Sequence, residues 1–110
     1  MVIMKRFEVW LVWLVQLNPT QGKEINKTRP CVIISPDETS ALSTRLVAPM
    51  TTKGFEIPCR VPCHFQAKDG LIILDQIRAV DKSRFTKKLG SINQKTQKEL
   101  CAKLQELFQF

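Results

Sequence analysis

A chain of 110 residues, 44% hydrophobic and 25% charged, has room for one domain built on one core, spanning residues 1–110. That composition excludes a disordered chain, a collagen-like chain and a pure coiled coil. Seventeen Lys and Arg against ten Asp and Glu leave a formal charge of +7, which favours a polyanionic partner such as nucleic acid or an anionic surface.

The N-terminal stretch has Lys5 and Arg6 ahead of seven apolar residues, Val9 to Val15. Glu8 interrupts the border and no small-residue cleavage site follows, so it does not read as a secretory leader. Seven apolar residues are too few to cross a bilayer. A cytoplasmic protein is expected. Phe7 to Leu17 is rich in aromatic and β-branched residues and ends at Asn18-Pro19, which predicts a strand. It holds a tandem triplet, Trp10-Leu11-Val12 and Trp13-Leu14-Val15, apolar at both alternating sets of positions. Such a strand is buried on both faces or shared with a partner chain.

Asn18 to Thr28 is polar and predicts a loop. Cys31 to Ile34 and Arg45 to Met50 are short apolar strands. Pro58 and Pro62 flank Cys59-Arg60-Val61 and predict an edge strand, since proline donates nothing to a ladder. Lys68-Asp69-Gly70 is a hairpin-turn signal. Leu71 to Leu74 then continues into an alternating stretch that reaches Asp81. Ser83 to Leu89 has room for a short helical turn. Leu100, Leu104, Leu107 and Phe108 fall at helical spacing, which predicts one amphipathic helix from about residue 94 to the end. The expected architecture is mainly β: about six short strands closing a small antiparallel barrel, followed by a terminal helix.

Chemistry has few places to sit. The chain holds one histidine, His64, so a pair of histidines is excluded. Its four glycines make no phosphate-cradling loop, and its carboxylates are too scattered for a two-metal nuclease. The four cysteines lack the paired spacing of a zinc site and, without a leader, do not read as a disulfide framework. No metal or other cofactor is expected. Between Arg78 and Lys98 stand seven basic residues and one acidic residue, a local charge of +6 that can also serve as a solvated face. What remains is polar residues at strand ends. Arg29 precedes Pro30 and a buried strand, where a rigid backbone would let its guanidinium grip a phosphate bidentately. Thr51-Thr52 follows the strand ending at Met50, and Asp75-Gln76-x-Arg78 leads into the basic stretch.

Taken in order, these segments resemble the MazF/PemK family of bacterial toxins. The resemblance rests on Glu8-Val9-Trp10-Leu11-Val12, on Leu17-Asn18-Pro19-Thr20-Gln21-Gly22-Lys23-Glu24 and on Thr28 to Pro36. It continues through Ala48-Pro49-Met50-Thr51-Thr52, Leu74 to Asp81 and Lys87-Lys88-Leu89-Gly90. It implies a compact SH3-like barrel of the CcdB/PemK kind with a C-terminal helix, forming a homodimer. The implied activity is metal-independent, sequence-specific cleavage of single-stranded RNA (mRNA) by 2′-hydroxyl attack. The implied partners are the RNA, a cognate MazE-like antitoxin whose acidic tail lies over the RNA site, and operator DNA when the two proteins are in complex.

By resemblance Arg29 and Thr51 are the catalytic candidates, with Asp75 matching a carboxylate given a base role in some relatives. Lys23, Glu24, Thr52, Lys53, Gln76 and Arg78 would line the RNA path. The basic residues would meet phosphate, while Glu24 and Gln76 would read base edges. Two departures stand out. Lysine occupies position 23, where some relatives use a catalytic histidine, and the second Trp-Leu-Val triplet looks inserted. An odd insertion reverses which side chains face the core unless a bulge or an extension absorbs it. Three other readings compete: a toxin of the CcdB type, which contacts gyrase and cuts nothing; a homologue whose catalysis the triplet impairs; and a plain basic RNA-binding module, weakened by the absence of tyrosine and of an aromatic stacking array.

Overall fold

The computed structural model describes residues 7–17, 28–54 and 57–109. Seven strands and one long helix follow in chain order: β1 (Leu11–Gln16), β2 (Thr28–Ile33), β3 (Thr44–Thr51), β4 (Arg60–Phe65), β5 (Lys68–Ile73), β6 (Arg78–Asp81), β7 (Phe85–Ser91) and α1 (Gln94–Leu107). Every pairing is antiparallel. The sheet order is β4-β5-β3-β2-β1-β7, with β6 also on β3. The expected fold class, a small antiparallel barrel followed by a C-terminal helix, is the one observed.

The long strand β3 organises the sheet. Along one side it pairs with β6 through Thr44–Val47 and then with β5 through Met50–Thr51. On the other side it pairs with β2 from Ile33–Val47 to Cys31–Pro49. Pro30 and Pro49 have no N–H to extend that ladder. The β2–β3 pairing ends at Cys31–Pro49, and Arg29 and Thr51 stand two residues beyond it.

Strand alternation sends side chains to two cores. On one face Val12, Val32, Ala48, Met50, Val61 and Ile72 pack with Ile92 and with Leu100 of α1. On the other, Leu11, Trp13, Val15, Cys31, Ile33, Val47, Val80 and Phe85 form a second cluster. Trp13 stacks on Phe7 at 5.0 Å and meets Phe85 edge-on at 5.8 Å. β1 is thus buried on both faces, as its uninterrupted apolar pattern predicts.

The bulge expected at the second triplet does not fall on β1, since the residues left unpaired by the register slips, Thr86 and Leu89, are on β7. β1 and β7 slip register between Val12 and Trp13 and again between Leu14 and Val15. Against β2 the same strand runs without a slip, from Val12–Val32 to Gln16–Thr28. The irregularity falls on the edge strand β7 and spares the side carrying Arg29.

Four expectations need correction. The β4–β5 turn is Gln66-Ala67 rather than Lys68-Asp69-Gly70, because Lys68 already pairs with Phe65. Residues 71–81 form two strands, since a short 3₁₀ turn at Leu74–Gln76 breaks them. Most of Ser83–Leu89 is strand: the 3₁₀ turn ends at Arg84, and Phe85 anchors β7 in the second core. In α1, Leu100 and Leu104 pack on the barrel while Leu107 and Phe108 stay exposed. The helix itself begins where the sequence predicts, with the Asn93 side chain accepting the Thr96 N–H at 2.8 Å.

Candidate active site

Continuing the β2–β3 register by two residues sets Arg29 opposite Thr51. The two residues line one cavity of about 400 Å³ just beyond the end of that pairing. Thr52 and Lys53 line it too, so the cavity gathers four residues singled out in the sequence. The Lys53 backbone N–H donates to the Thr51 hydroxyl oxygen at 3.1 Å. That bond occupies a lone pair of the oxygen and leaves the hydroxyl proton to be donated elsewhere.

The opposite wall was not legible in the sequence. It comes from the β4–β5 hairpin, through Cys63, Phe65, Gln66, Lys68 and Gly70. Gly70 explains how the hairpin comes so close. A side chain there would place its first carbon 2.7 Å from the Thr51 carbonyl oxygen. The Asp-Gly signal therefore marks a close backbone approach rather than a turn.

Burial pushes the Cys31 thiol up to about 12, while the charges of Arg29 and Arg78 act on it in the opposite sense. Both guanidinium groups therefore bear on one buried sulfur. Arg78, Gln76 and Asp75 are not among the residues lining the cavity. Asp75 sits on the 3₁₀ turn after β5 and pairs with Arg60 at 3.4 Å. The hydrogen bond from Arg60 is the main cause holding its carboxyl below the usual carboxylate range. Nothing in the sequence signals that Arg60 is its partner. Lys23 and Glu24 lie outside the described residues.

A larger hollow, about 580 Å³, lies between the same hairpin and the start of α1. His64 and Asp69, 2.8 Å apart and both exposed, stand on its wall with Asn93, Lys95 and Thr96. Of the candidate catalytic and RNA-path residues it includes only Thr52. Among the described residues, no group of three His, Cys, Asp or Glu side chains is placed to hold a metal ion.

Comparison with known proteins identifies the scaffold. The family model described as PemK-like, MazF-like toxin of type II toxin–antitoxin systems matches residues 5–108. The chain belongs to the MazF/PemK toxin family. It is 34% identical over 97 residues to the Endoribonuclease MazF of Staphylococcus saprophyticus, covering 81% of this chain and 80% of that protein. Among solved structures it is similar to a MazE-MazF crystal structure from Deinococcus radiodurans, with TM-score 0.73 and 26% identity over 91% of this chain and 93% of that one. An endoribonuclease from a mycobacterial species superposes with TM-score 0.75 over 96% of this chain and 93% of its own, at 18% identity, and so shares the fold. MazF/PemK membership places Arg29 and Thr51 on a toxin scaffold. Among the described residues no helix is long and apolar enough to cross a membrane.

Proposed function

We propose that this toxin is an endoribonuclease that cuts single-stranded RNA at preferred sites, with Arg29 and Thr51 as its catalytic pair. The observation that carries this reading is their meeting in one cavity just beyond the end of the β2–β3 pairing. The staphylococcal relative named an endoribonuclease supports it. The substrate's 2′-hydroxyl attacks the adjacent phosphorus. The new O2′–P bond forms as the P–O5′ bond breaks; a base takes the 2′-hydroxyl proton and the departing O5′ takes one from solvent water, giving a 2′,3′-cyclic phosphate and a 5′-hydroxyl. The protein must align the attack, stabilise the charge gathering on the nonbridging oxygens and manage two protons.

Arg29 supplies a permanent positive charge and paired donors for those oxygens. Thr51 donates its hydroxyl proton to one of them. Asp75 is the candidate base for the 2′-hydroxyl proton by resemblance; it does not line the cavity, so it would act through intervening water. It is anionic at neutral pH, but the hydrogen bond from Arg60 lowers its basicity, so its loss should cost less than that of Arg29. Thr52, Lys53, Gln76 and Arg78, with Lys23 and Glu24, line the path of the RNA. Arg78 and the lysines neutralise phosphates. The regular β1–β2 register favours an active enzyme over one impaired by the triplet. The partners of this reading are a MazE-like antitoxin, as in the related MazE-MazF structure, a second copy of the chain, and operator DNA when bound with the antitoxin. Its setting is the cytoplasm.

The test is incubation of the purified toxin with a long unstructured RNA in EDTA. Discrete fragments ending in 2′,3′-cyclic phosphate are expected. Binding without fragments would refute the nuclease reading. Fragments that vanish with EDTA would refute the metal-independent step.

A further inference from the structure

The cavity at Arg29 has two unlike halves. Arg29, Thr51 and Lys53 make a polar, basic side. Pro30, Met50 and the ring of Phe65 make an apolar one. Phosphate chemistry needs only the first. A half-buried aromatic, packed in part against the first core and lining the same cavity as a guanidinium, is an environment that takes up a flat, uncharged ring.

Three features fix that surface. The Cζ and Cε1 edge of the Phe65 ring lies over Gly90 of β7, where a side chain's first carbon would come within 3.5 and 3.6 Å of it. Gly70 lets the hairpin press on the Thr51 backbone, so the wall keeps a set distance from the hydroxyl. The turn that follows Phe65 is strained. Gln66 and Ala67 both hold positive φ, 51° and 62°, without a glycine at either position. Backbone strain of this kind tends to collect at ligand clamps. Here it keeps a Gln side chain at the cavity rim, with Lys68 next to it on the returning strand.

Resting on the nuclease reading above, we infer that the apolar half of this cavity is a nucleobase subsite. One base flanking the scissile phosphate leaves the RNA stack and lies against Phe65, on a floor of Pro30 and Met50. The Gln66 amide nitrogen donates to the Leu89 carbonyl oxygen at 3.4 Å, which leaves its own carbonyl oxygen to meet the base edge, and the Lys68 ammonium meets the neighbouring phosphate. Unstacking the base frees its pairing edge for recognition and turns the sugar, which brings the 2′-hydroxyl toward the phosphorus. Phe65 is thus a positioning and specificity residue rather than a catalytic one.

The test uses a short RNA containing one mapped cleavage step and versions with an abasic site on either side of it. An abasic site at the stacked position should lower kcat/KM about 5- to 150-fold, the range that base–aromatic stacking spans. Phe65→Leu should lose a similar factor on intact RNA and nothing further on that abasic RNA, and Phe65→Tyr should restore it. Melting curves check that each variant folds. If Phe65→Leu does not fold, 2-aminopurine at the same position should report stacking through a changed fluorescence on binding the unaltered protein. Losses that multiply, or Phe65→Leu cutting at the parent rate with unchanged site preference, would overturn the subsite. So would a Phe65→Leu defect confined to antitoxin binding, which would make this wall a peptide-docking surface. Arg29→Ala on the same RNA separates the two readings. If Arg29→Ala is inactive and Phe65→Leu normal, the nuclease reading stands and the subsite falls. If the parent cuts nothing, the nuclease reading itself has failed.

Discussion

Arg45 carries a charge into the interior. Its side chain is fully buried, yet it donates to the carbonyl oxygens of Ser35 at 2.9 Å and Pro36 at 3.2 Å and to the Thr39 hydroxyl at 3.1 Å. Asp37 faces it at 3.7 Å and also accepts the Val9 N–H at 2.7 Å. One guanidinium thus ties the 35–39 turn to β3, and Asp37 extends the tie to the approach to β1. Arg45→Ala should lower the unfolding free energy by about 3 kcal/mol, because the buried Ser35 carbonyl and two part-buried acceptors lose their donor together and Asp37 its counter-charge. The urea midpoint measures this, and Arg45→Lys should recover little of it, since an ammonium does not reproduce the planar fork. Cys31 gives a prediction of opposite character. Its thiol titrates near 9.0 when unfolded and at about 12 when folded. The folded chain therefore holds that proton more tightly. The stability this contributes is fully present below pH 9.0 and is lost as pH rises toward about 12. Over that window the parent should lose up to about 1.4 kcal/mol more per pH unit than Cys31→Ala does. Equal slopes would show that the thiol is not held protonated.

At the scale of elements, the β4–β5 hairpin carries the most information and was the least legible. Its turn, Gln66-Ala67, lacks the Asn, Asp and Gly residues that favour positive φ. The nearby Asp69-Gly70 pair looks like such a turn, but its glycine is there to avoid the Thr51 carbonyl. Local propensity lost to a close approach between strands far apart in sequence. Ala67→Gly should relieve the left-handed strain and stabilise the fold by roughly 0.5–1 kcal/mol. A lowered melting temperature would contradict the strained-turn account. β7 was missed for a related reason. Its pattern is broken by Lys87, Lys88 and Gly90, and its place in the sheet is settled by Phe85 and by two register slips against β1. By contrast β1, β2, β3 and α1 were legible, since each buries a periodic apolar set and ends at a recognisable cap or proline.

Over the whole molecule, the barrel brings together what the chain separates. Arg29 and Thr51 lie at strand ends that the sequence could mark, but their meeting depends on the β2–β3 register and on where it stops, at Cys31–Pro49. The wall facing them depends on β5 joining β3 beyond β6, which no local pattern announces. Asp75 lies elsewhere on the same scaffold, held by Arg60. On the proposed mechanism the transition-state charge therefore falls on one guanidinium. The most direct measurement is the single-turnover cleavage rate of Arg29→Ala in EDTA, beside the parent, on one RNA with a mapped site. A loss of about 10²- to 10³-fold is predicted, the range for removing a group that stabilises charge only in the transition state, with the melting temperature unchanged. Cleavage at the parent rate by a folded Arg29→Ala protein would contradict it.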